Sequence, residues 1–488
     1  ISKANATPTK KDEAKVIESK PEAIPQKTTA AAEGGGPNEV VAEIGEYVIT
    51  RGELEQRMLR KMTRDPDEEY GATEPVDANK EATELLVEKA MMLEGRKAGY
   101  LNGDTYAKKT NDQELVRLLL TKELEGKIKV TAEEIDAKLK TDPNMDRKKA
   151  EQLLGHEKGK MLYDAYCNEL IGRRHVEKKS QNFARAVQVH ERLASHPTRE
   201  RRGFWIMRWQ MEEELSSEEK SLVMATFDGG QVTLLDWFFM LNEISPVNRP
   251  KNLDTEKGIE VLLDRALMLP LLVAEAKSLG LDGNADYIAR ARKREDDFVL
   301  GRARTEALKG IAKPTDKEIE EYFNSHNEEF RDADSVTVDE IWCQDSKTAQ
   351  AAKDAAGAGK EFGSVKKEYS LKEVPQRTVT SISEGIFFKP LWAAEPNAVV
   401  GPVKGLYVGG GPRGGAEPAV KWRVVKVIAK KKGDLKSFSK GMSYTVAEKI
   451  KNNQRKTVLA KYGRELLEKY PHKIHAERVK DVDPLNIP

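Results

Sequence analysis

Apolar and polar residues change rhythm several times along the chain, and each change predicts a different kind of element. Residues 1–38 are Lys, Glu, Ala, Thr and Pro with almost no large apolar groups, closing in GGGPN. Such a stretch cannot bury enough surface to offset its ordering entropy, so a disordered tether is expected there. Alternation sets in at VVAEIGEYVITRGELEQRML, where apolar residues on either side of Gly45 predict a tight two-stranded turn, and Thr50 with Glu53 predicts a capping box that starts a helix. The period then becomes helical. EATELLVEKAMMLEGRKAGYL places Leu85, Leu86 and Leu93 on one helix that stops at Gly99, and VTAEEIDAKLK supplies another capping box from Thr131 to Glu134.

The same series returns further on. VMATFDGGQVTLLDWFFML repeats the turn and helix start at Thr233, GIEVLLDRALMLPLLVAEAKSLGL repeats the long helix ending at Gly280, and KPTDKEIEEYFN repeats the capping box from Thr315 to Glu318. The first and last capping threonines are 81 residues apart in one copy (Thr50 to Thr131) and 82 in the other (Thr233 to Thr315). This spacing points to a duplication of about a hundred residues, far longer than a solenoid period. Beyond Asp334 the character changes. VTVDEIW and WRVVKVIA read as strands with a helix from Ala349 and glycine-containing loops between them, a small α+β domain. A last amphipathic helix, from Leu435 to Tyr470, is shaped to pack back on earlier ones, and KIHAERV follows as a short strand.

Bulk numbers narrow the reading. With 488 residues the chain exceeds what one core serves, so two to four domains are expected. Balanced charge, 82 basic against 81 acidic side chains, gives no reason to expect nucleic acid or anionic lipid as the main partner. One basic stretch, Arg173 to Arg202, could grip phosphate or be a solvated helix face. No apolar run approaches the about 18 residues that span a bilayer; the longest, ALMLPLLVA, contains a proline. Ala4-Asn5-Ala6 has the small-x-small look of a signal-peptidase site, a hint of export. Cys167 and Cys343 could pair in an oxidising compartment or stand as isolated buried thiols, and the second reading is favoured.

Read together, the hairpin opening a capped helix, LLVEKAMMLEGRKAGYL, the T-x-x-E-I segment, the α+β unit and the closing helix resemble the SurA/PrsA class of exported foldases over roughly residues 40–480. In that class a helical chaperone domain carries a parvulin-type peptidyl-prolyl isomerase domain. The parvulin pattern of strand, helix, G-x-D/E-F and x-Y/H-S is similar to Ala349 through Gly359-Lys360-Glu361-Phe362 to Tyr369-Ser370, and NAVVGPVKG and KWRVVKV resemble later family elements. The resemblance implies an α+β, mostly helical architecture: duplicated SurA-N-like helical modules, a small parvulin-like domain and a C-terminal helix. The divisions expected are a tether at 1–38, a helical module at 39–145, a helical connector at 146–222, a second module at 223–332, a degenerate parvulin-like domain at 333–432, and a C-terminal helix with its flanks at 433–488.

The parvulin pocket combines two histidines, on the first and last strands, with a Cys or Asp after x-Y/H-S. Carried over residue by residue, these fall on Glu340, Arg423 and Lys372, and no histidine lies between Asn327 and Pro471. The family's G-G-D-L-G segment has no clear counterpart, the pocket-lining span is shortened to FFKPLWAAEPN, and a glycine-rich loop from Gly409 to Gly415 is inserted before the last strand. No catalytic residue is therefore assigned. A peptide or partner groove could still be lined by Trp342, Phe362, Phe387, Phe388, Trp392 and Trp422, which serve equally as core.

Other chemistry finds less support. GAGK at 357–360 lacks the earlier glycine and the Ser/Thr of a phosphate loop. His472 with His475, and His190 with His196, have no ligand-spaced partners, so neither metal nor cofactor is expected. Methionines such as Met58, Met62, Met91, Met92, Met240 and Met268 offer adaptable apolar surface for clients, or core filler. The expectation is an extracytoplasmic protein-binding factor, periplasmic or in an equivalent compartment, whose partners are clients or fixed complex subunits, self-association included. Two alternatives remain: a non-catalytic structural subunit bridging copies of a larger assembly, and an active isomerase with an unusual pocket.

Overall fold

A computed structural model describes residues 36–63, 76–102, 105–142, 144–195, 206–407 and 419–486. Most of the expected tether and the glycine-rich loop from Gly409 to Gly415 lie outside these residues. The hairpin β1 (Val40–Ile44) and β2 (Tyr47–Thr50) opens α1 (Arg51–Thr63), followed by α2 (Ala78–Lys97), α3 (Thr105–Leu124), α4 (Ala132–Thr141) and the long α5 (Arg147–Arg173). After the short β3 (Glu177–Lys178) come α6 (Phe183–Ser195), α7 (Arg208–Glu213) and α8 (Ser217–Ser221). A second hairpin, β4 (Val223–Phe227) and β5 (Gly230–Thr233), opens α9 (Leu234–Glu243), α10 (Glu256–Ser278), α11 (Ala285–Ala307) and α12 (Asp316–Ser325). The next strand and helices are β6 (Ser335–Cys343), α13 (Ser346–Gly357) and α14 (Phe362–Tyr369). Then follow β7 (Arg377–Thr380), α15 (Ser381–Glu384), α16 (Phe388–Ala393), β8 (Val399–Tyr407) and β9 (Ala419–Lys431). Last come α17 (Lys440–Lys469), β10 (His472–Ile474) and α18 (Ala476–Val479). The chain is thus mostly helical with small antiparallel sheets, the α+β class the sequence implies.

Two compact units divide it: the first takes in residues up to Val87, Ala312–Gln454 and Leu467–Pro488, the second Glu88–Ile311 and Arg455–Leu466. Each hairpin is closed by a two-residue turn with a glycine at positive φ, Gly45 at 55° and Gly229 at 105°, a conformation that side chains rarely adopt. Each ladder also slips at the same place, between Val40 and Ala42 and between Val223 and Ala225. The capping threonines act as read from the sequence. Thr50 Oγ1 accepts from the Glu53 amide at 3.2 Å, and reciprocal boxes form at Thr131 with Glu134, Thr233 with Asp236, and Thr315 with Glu318.

Both hairpins gain a third strand from elsewhere in the chain. In the first unit β10 lies antiparallel on β1, with Ile474 opposite Ala42; in the second β3 lies antiparallel on β4, with Lys178 opposite Ala225. Arg51 anchors the first arrangement, pairing with Glu39 at 2.9 Å and donating to the carbonyls of Arg478 and Asp481. The core of the second unit centres on Trp237 and Phe238, fully buried and edge to face, with Trp237 Nε1 donating to the Ile259 carbonyl at 3.0 Å.

The remaining sheet of the first unit runs β7-β6-β9-β8, all neighbours antiparallel. One face packs Ile341, Cys343 and Val424 against α13 and α14; the other packs Val336, Val338, Val425 and Val427 against Phe388 and Leu391 of α16. Part of α17 rests on α12, Val446 meeting Ile319, Phe323 and Phe330. Cys167 and Cys343 are both free and buried, and burial pushes the Cys343 thiol up to about 11.

Candidate functional site

The positions to which the histidines map lie on the two central strands of that four-stranded sheet. Glu340 stands opposite Val425, and Arg423 opposite Trp342. Alternate residues of a strand share a face, so Val338, Glu340 and Trp342 project toward the side that α16 partly covers. At the polar centre of this face the two mapped residues meet. Arg423 Nη1 donates to Glu340 Oε1 at 2.5 Å, and both side chains are almost wholly buried.

Two further residues close the circuit. Arg377 begins β7 and Glu384 ends α15, a single turn started by the capping Thr380. Arg423 Nη2 donates to Glu384 Oε2 at 2.7 Å, Arg377 Nη2 to Glu384 Oε1 at 3.0 Å, and Arg377 Nε to Glu340 Oε2 at 2.6 Å. Each carboxylate therefore bridges both guanidinium groups, and the ring of four carries no net charge. Arg377, 38% exposed along its side chain, is its only edge toward water, whereas Glu384 is buried. Burial opposes the charge on Glu340, but hydrogen bonding and attraction from Arg377 and Arg423 outweigh it, holding the carboxyl below its ordinary range.

Neighbouring side chains fix Arg423 in place. Its guanidinium lies 5.1 Å from the Trp342 ring centre, a cation–π contact. On the adjoining strand, a Cβ at Gly405 would come within 2.3 Å of Arg423 Nε, so only glycine leaves room for the arginine to lie across β8.

Lys372, the third mapped position, stands apart from this ring. Its ammonium sits 4.2 Å from the centre of the Tyr407 ring, which in turn meets Trp342 edge to face. Its backbone is pinned beside the end of β6, where Ser370 Oγ donates to the Lys372 carbonyl and accepts from the Trp342 amide.

The six aromatic candidates do not share one groove. Phe388 and Trp392 stack on the α16 side, Trp342 lies under Arg423 on the same face, and Phe387 is buried in the turn before α16. Phe362 and Trp422 belong to the opposite face, with α13 and α14. Sequence reasoning missed Arg377 and Glu384 altogether. A usable signal existed: a carboxylate at Glu340 within the apolar strand VTVDEIW demands a buried cation and further partners.

As chemistry, the arrangement offers neither an imidazole nor an unengaged carboxylate. Every carboxylate oxygen of the ring is hydrogen-bonded, and among its buried atoms Arg423 Nε alone lacks an acceptor, facing Gly405. Among the described residues no His, Cys, Asp and Glu cluster could hold a metal. His190 packs edge to face on Trp237, and burial pushes it down to about 4 with help from the charge on Arg249; His196 lies outside the described residues. In the basic stretch, Arg173 and Arg174 bind Glu275, while Arg185 and Arg192 bind the buried Glu219. Those four cations are engaged by carboxylates of the chain itself.

Comparison with known families matches residues 314–440 to the PPIC-type PPIase domain. No curated protein matches the chain in sequence. Among solved structures, one of the two SurA-like chaperones of Campylobacter jejuni, PEB4 and Cj1289, aligns at 16% identity and a TM-score of 0.24, over 51% of this chain and 98% of its own. The foldase PrsA of Streptococcus pneumoniae aligns at 16% identity and 0.22, over 44% and 78%. PrsA of Bacillus anthracis aligns at 14% identity and 0.19, over 36% and 72%.

Proposed function

Residues 314–440 are a PPIC-type, or parvulin, peptidyl-prolyl isomerase domain, and from that premise we propose that the chain is an exported protein-binding factor of the SurA/PrsA kind whose isomerase domain no longer catalyses. The observation that carries this reading is the buried ring of Glu340, Arg377, Glu384 and Arg423. Rotation about a prolyl bond meets a barrier of about 18–20 kcal/mol set by amide resonance. A catalyst must bind the twisted amide better than the planar one, with apolar walls and donors free to follow the change. Here the walls are charges, and their hydrogen bonds are spent on one another.

On this reading the isomerase fold persists as a binding and supporting module at 333–432. The helical stretches 39–145 and 223–332 are two copies of one client-binding module, joined by the connector at 146–222, and the C-terminal helix packs back on the helical domain. The setting is the periplasm or an equivalent extracytoplasmic compartment, with other proteins as partners. A proline-peptide isomerisation assay on the purified chain tests the loss of catalysis: turnover comparable to that of an ordinary parvulin refutes it. Purification from the native source tests the client reading. A broad set of substoichiometric proteins is expected, and a fixed ratio to one or two proteins would instead make the chain a structural subunit of an assembly.

A further inference from the structure

The second unit holds a cleft of about 450 Å³ between α3, α7, the β4–β5 hairpin, α9 and α10. Its floor is apolar: Phe239, Met240 and Leu269 are half-buried, each turning one side to the core and the other to the cleft, and the half-buried Pro270 lines it beside them. The volume falls in the range of about 300–1,000 Å³ typical of sites that enclose a small ligand or a few side chains, not a folded domain.

Charge around the cleft is unbalanced. Lys108, Lys109, Arg208, Arg265 and Lys277 line it against three carboxylates, Asp112, Asp236 and Glu243. All three carboxylates are engaged nearby: Asp236 with Thr233, Glu243 with Lys109, and Asp112 with Lys108 at 3.6 Å. Arg265 and Lys277, both on α10, are exposed beside the apolar floor.

Two backbone features suit a polypeptide. Pro270 has no N–H, so the Ala266 carbonyl lacks its ordinary partner one turn on, and both residues line the cleft. β5 is an edge strand, and because Phe227 opposite Gly230 closes a two-residue turn, Gln231 is the residue whose N–H and C=O point away from β4. Gln231 also lines the cleft and is exposed.

We propose that this cleft binds an extended client segment of large apolar residues flanked by carboxylates, the apolar side chains on Phe239, Met240 and Leu269 and the acids toward Arg265 and Lys277. The proposal rests on the protein-binding reading above and names the class of segment bound. The test is fluorescence anisotropy with the full chain and two labelled peptides that share one apolar sequence, one flanked by Asp and Glu, the other by Lys. The acidic peptide is expected to bind about tenfold tighter, and the exposed double variant Arg265→Glu/Lys277→Glu to reverse that preference by a similar factor, with unchanged thermal unfolding. Equal binding of the two peptides, or a preference that survives the variant, overturns the proposal. A concentration-dependent dimer that the variant abolishes overturns it in favour of a second copy of the chain as occupant. Suppression of aggregation of an unfolded protein is followed in parallel. If the chain suppresses aggregation but ignores both peptides, the cleft assignment falls and the protein-binding reading stands; if it does neither, both fall.

Discussion

Replacing Glu340 by Gln changes one carboxylate oxygen to an amide nitrogen and leaves the shape of the ring intact, yet it strips half the negative charge from a site where Glu340 and Arg423 are almost wholly buried. Arg423 is 0% exposed and would then share Glu384 with Arg377, two cations on one carboxylate. Removing one partner of a buried pair costs about 3–5 kcal/mol, because the stranded charge keeps its desolvation penalty. That is a large part of the about 5–15 kcal/mol that holds a domain folded. The double variant Glu340→Leu/Arg423→Met should behave differently. It removes one charge of each sign and leaves Arg377 on Glu384 at 3.0 Å at the wetter edge, so a cost within about 2 kcal/mol of the parent is expected. Amide hydrogen exchange along the β6–β9 ladder of the intact chain reads these changes locally, which matters because a chain of two units need not unfold in one step. The reasoning is refuted if Glu340→Gln leaves exchange unaltered, or if the double variant costs as much as the two single ones added.

Acid should loosen the same ladder. The Glu340 carboxyl is held below its ordinary value of 4.5, so its contribution is complete above that value and disappears as pH falls through the depressed folded value; β6 and β9 amides should lose protection there, and Glu340→Gln should remove that pH dependence. Gly405→Ala, with its methyl 2.3 Å from Arg423 Nε, should cost about 1–3 kcal/mol in the same exchange measurement, and less in the Glu340→Leu/Arg423→Met background, where the guanidinium it meets is gone. Cys343, buried with its thiol pushed up to about 11, should resist iodoacetamide at pH 8 in the folded chain and react on addition of denaturant, as read by mass spectrometry.

Local signals in the sequence carried far. Capping threonines, hairpin glycines and helical spacing are each encoded within a few residues, and Thr131, Thr233 and Thr315 make the bonds that their neighbours imply. Glu340 and Arg423, singled out in the sequence by resemblance, touch in the structure because they lie on the same face of the paired strands β6 and β9. What stayed hidden depends on long-range pairing. Arg377 and Glu384 sit on a four-residue strand and a single helical turn, too short for any period to show, and their role exists only once β7 lies beside β6. The aromatic candidates divide between two faces because neighbours on a strand alternate: Trp422 directly precedes Arg423 on β9 and so takes the opposite face, together with Phe362 of α14. Nor does anything near Glu177 or His472 announce that these brief strands complete sheets begun elsewhere.

Those borrowed strands impose an order on biosynthesis. In the second sheet β3 precedes the hairpin it joins, so the partner is already waiting when β4 emerges. In the first, the β1–β2 hairpin is made long before β10, so its outer edge stays open until β10 has been made, and the anchor of Arg51 on Asp481 reaches across 430 residues. An unpaired edge is an invitation to stick to other strands. A ribosome that delivers this polypeptide therefore leaves a vulnerable template exposed throughout the synthesis of everything between Thr50 and His472, and the newborn protein has need of protection over that interval.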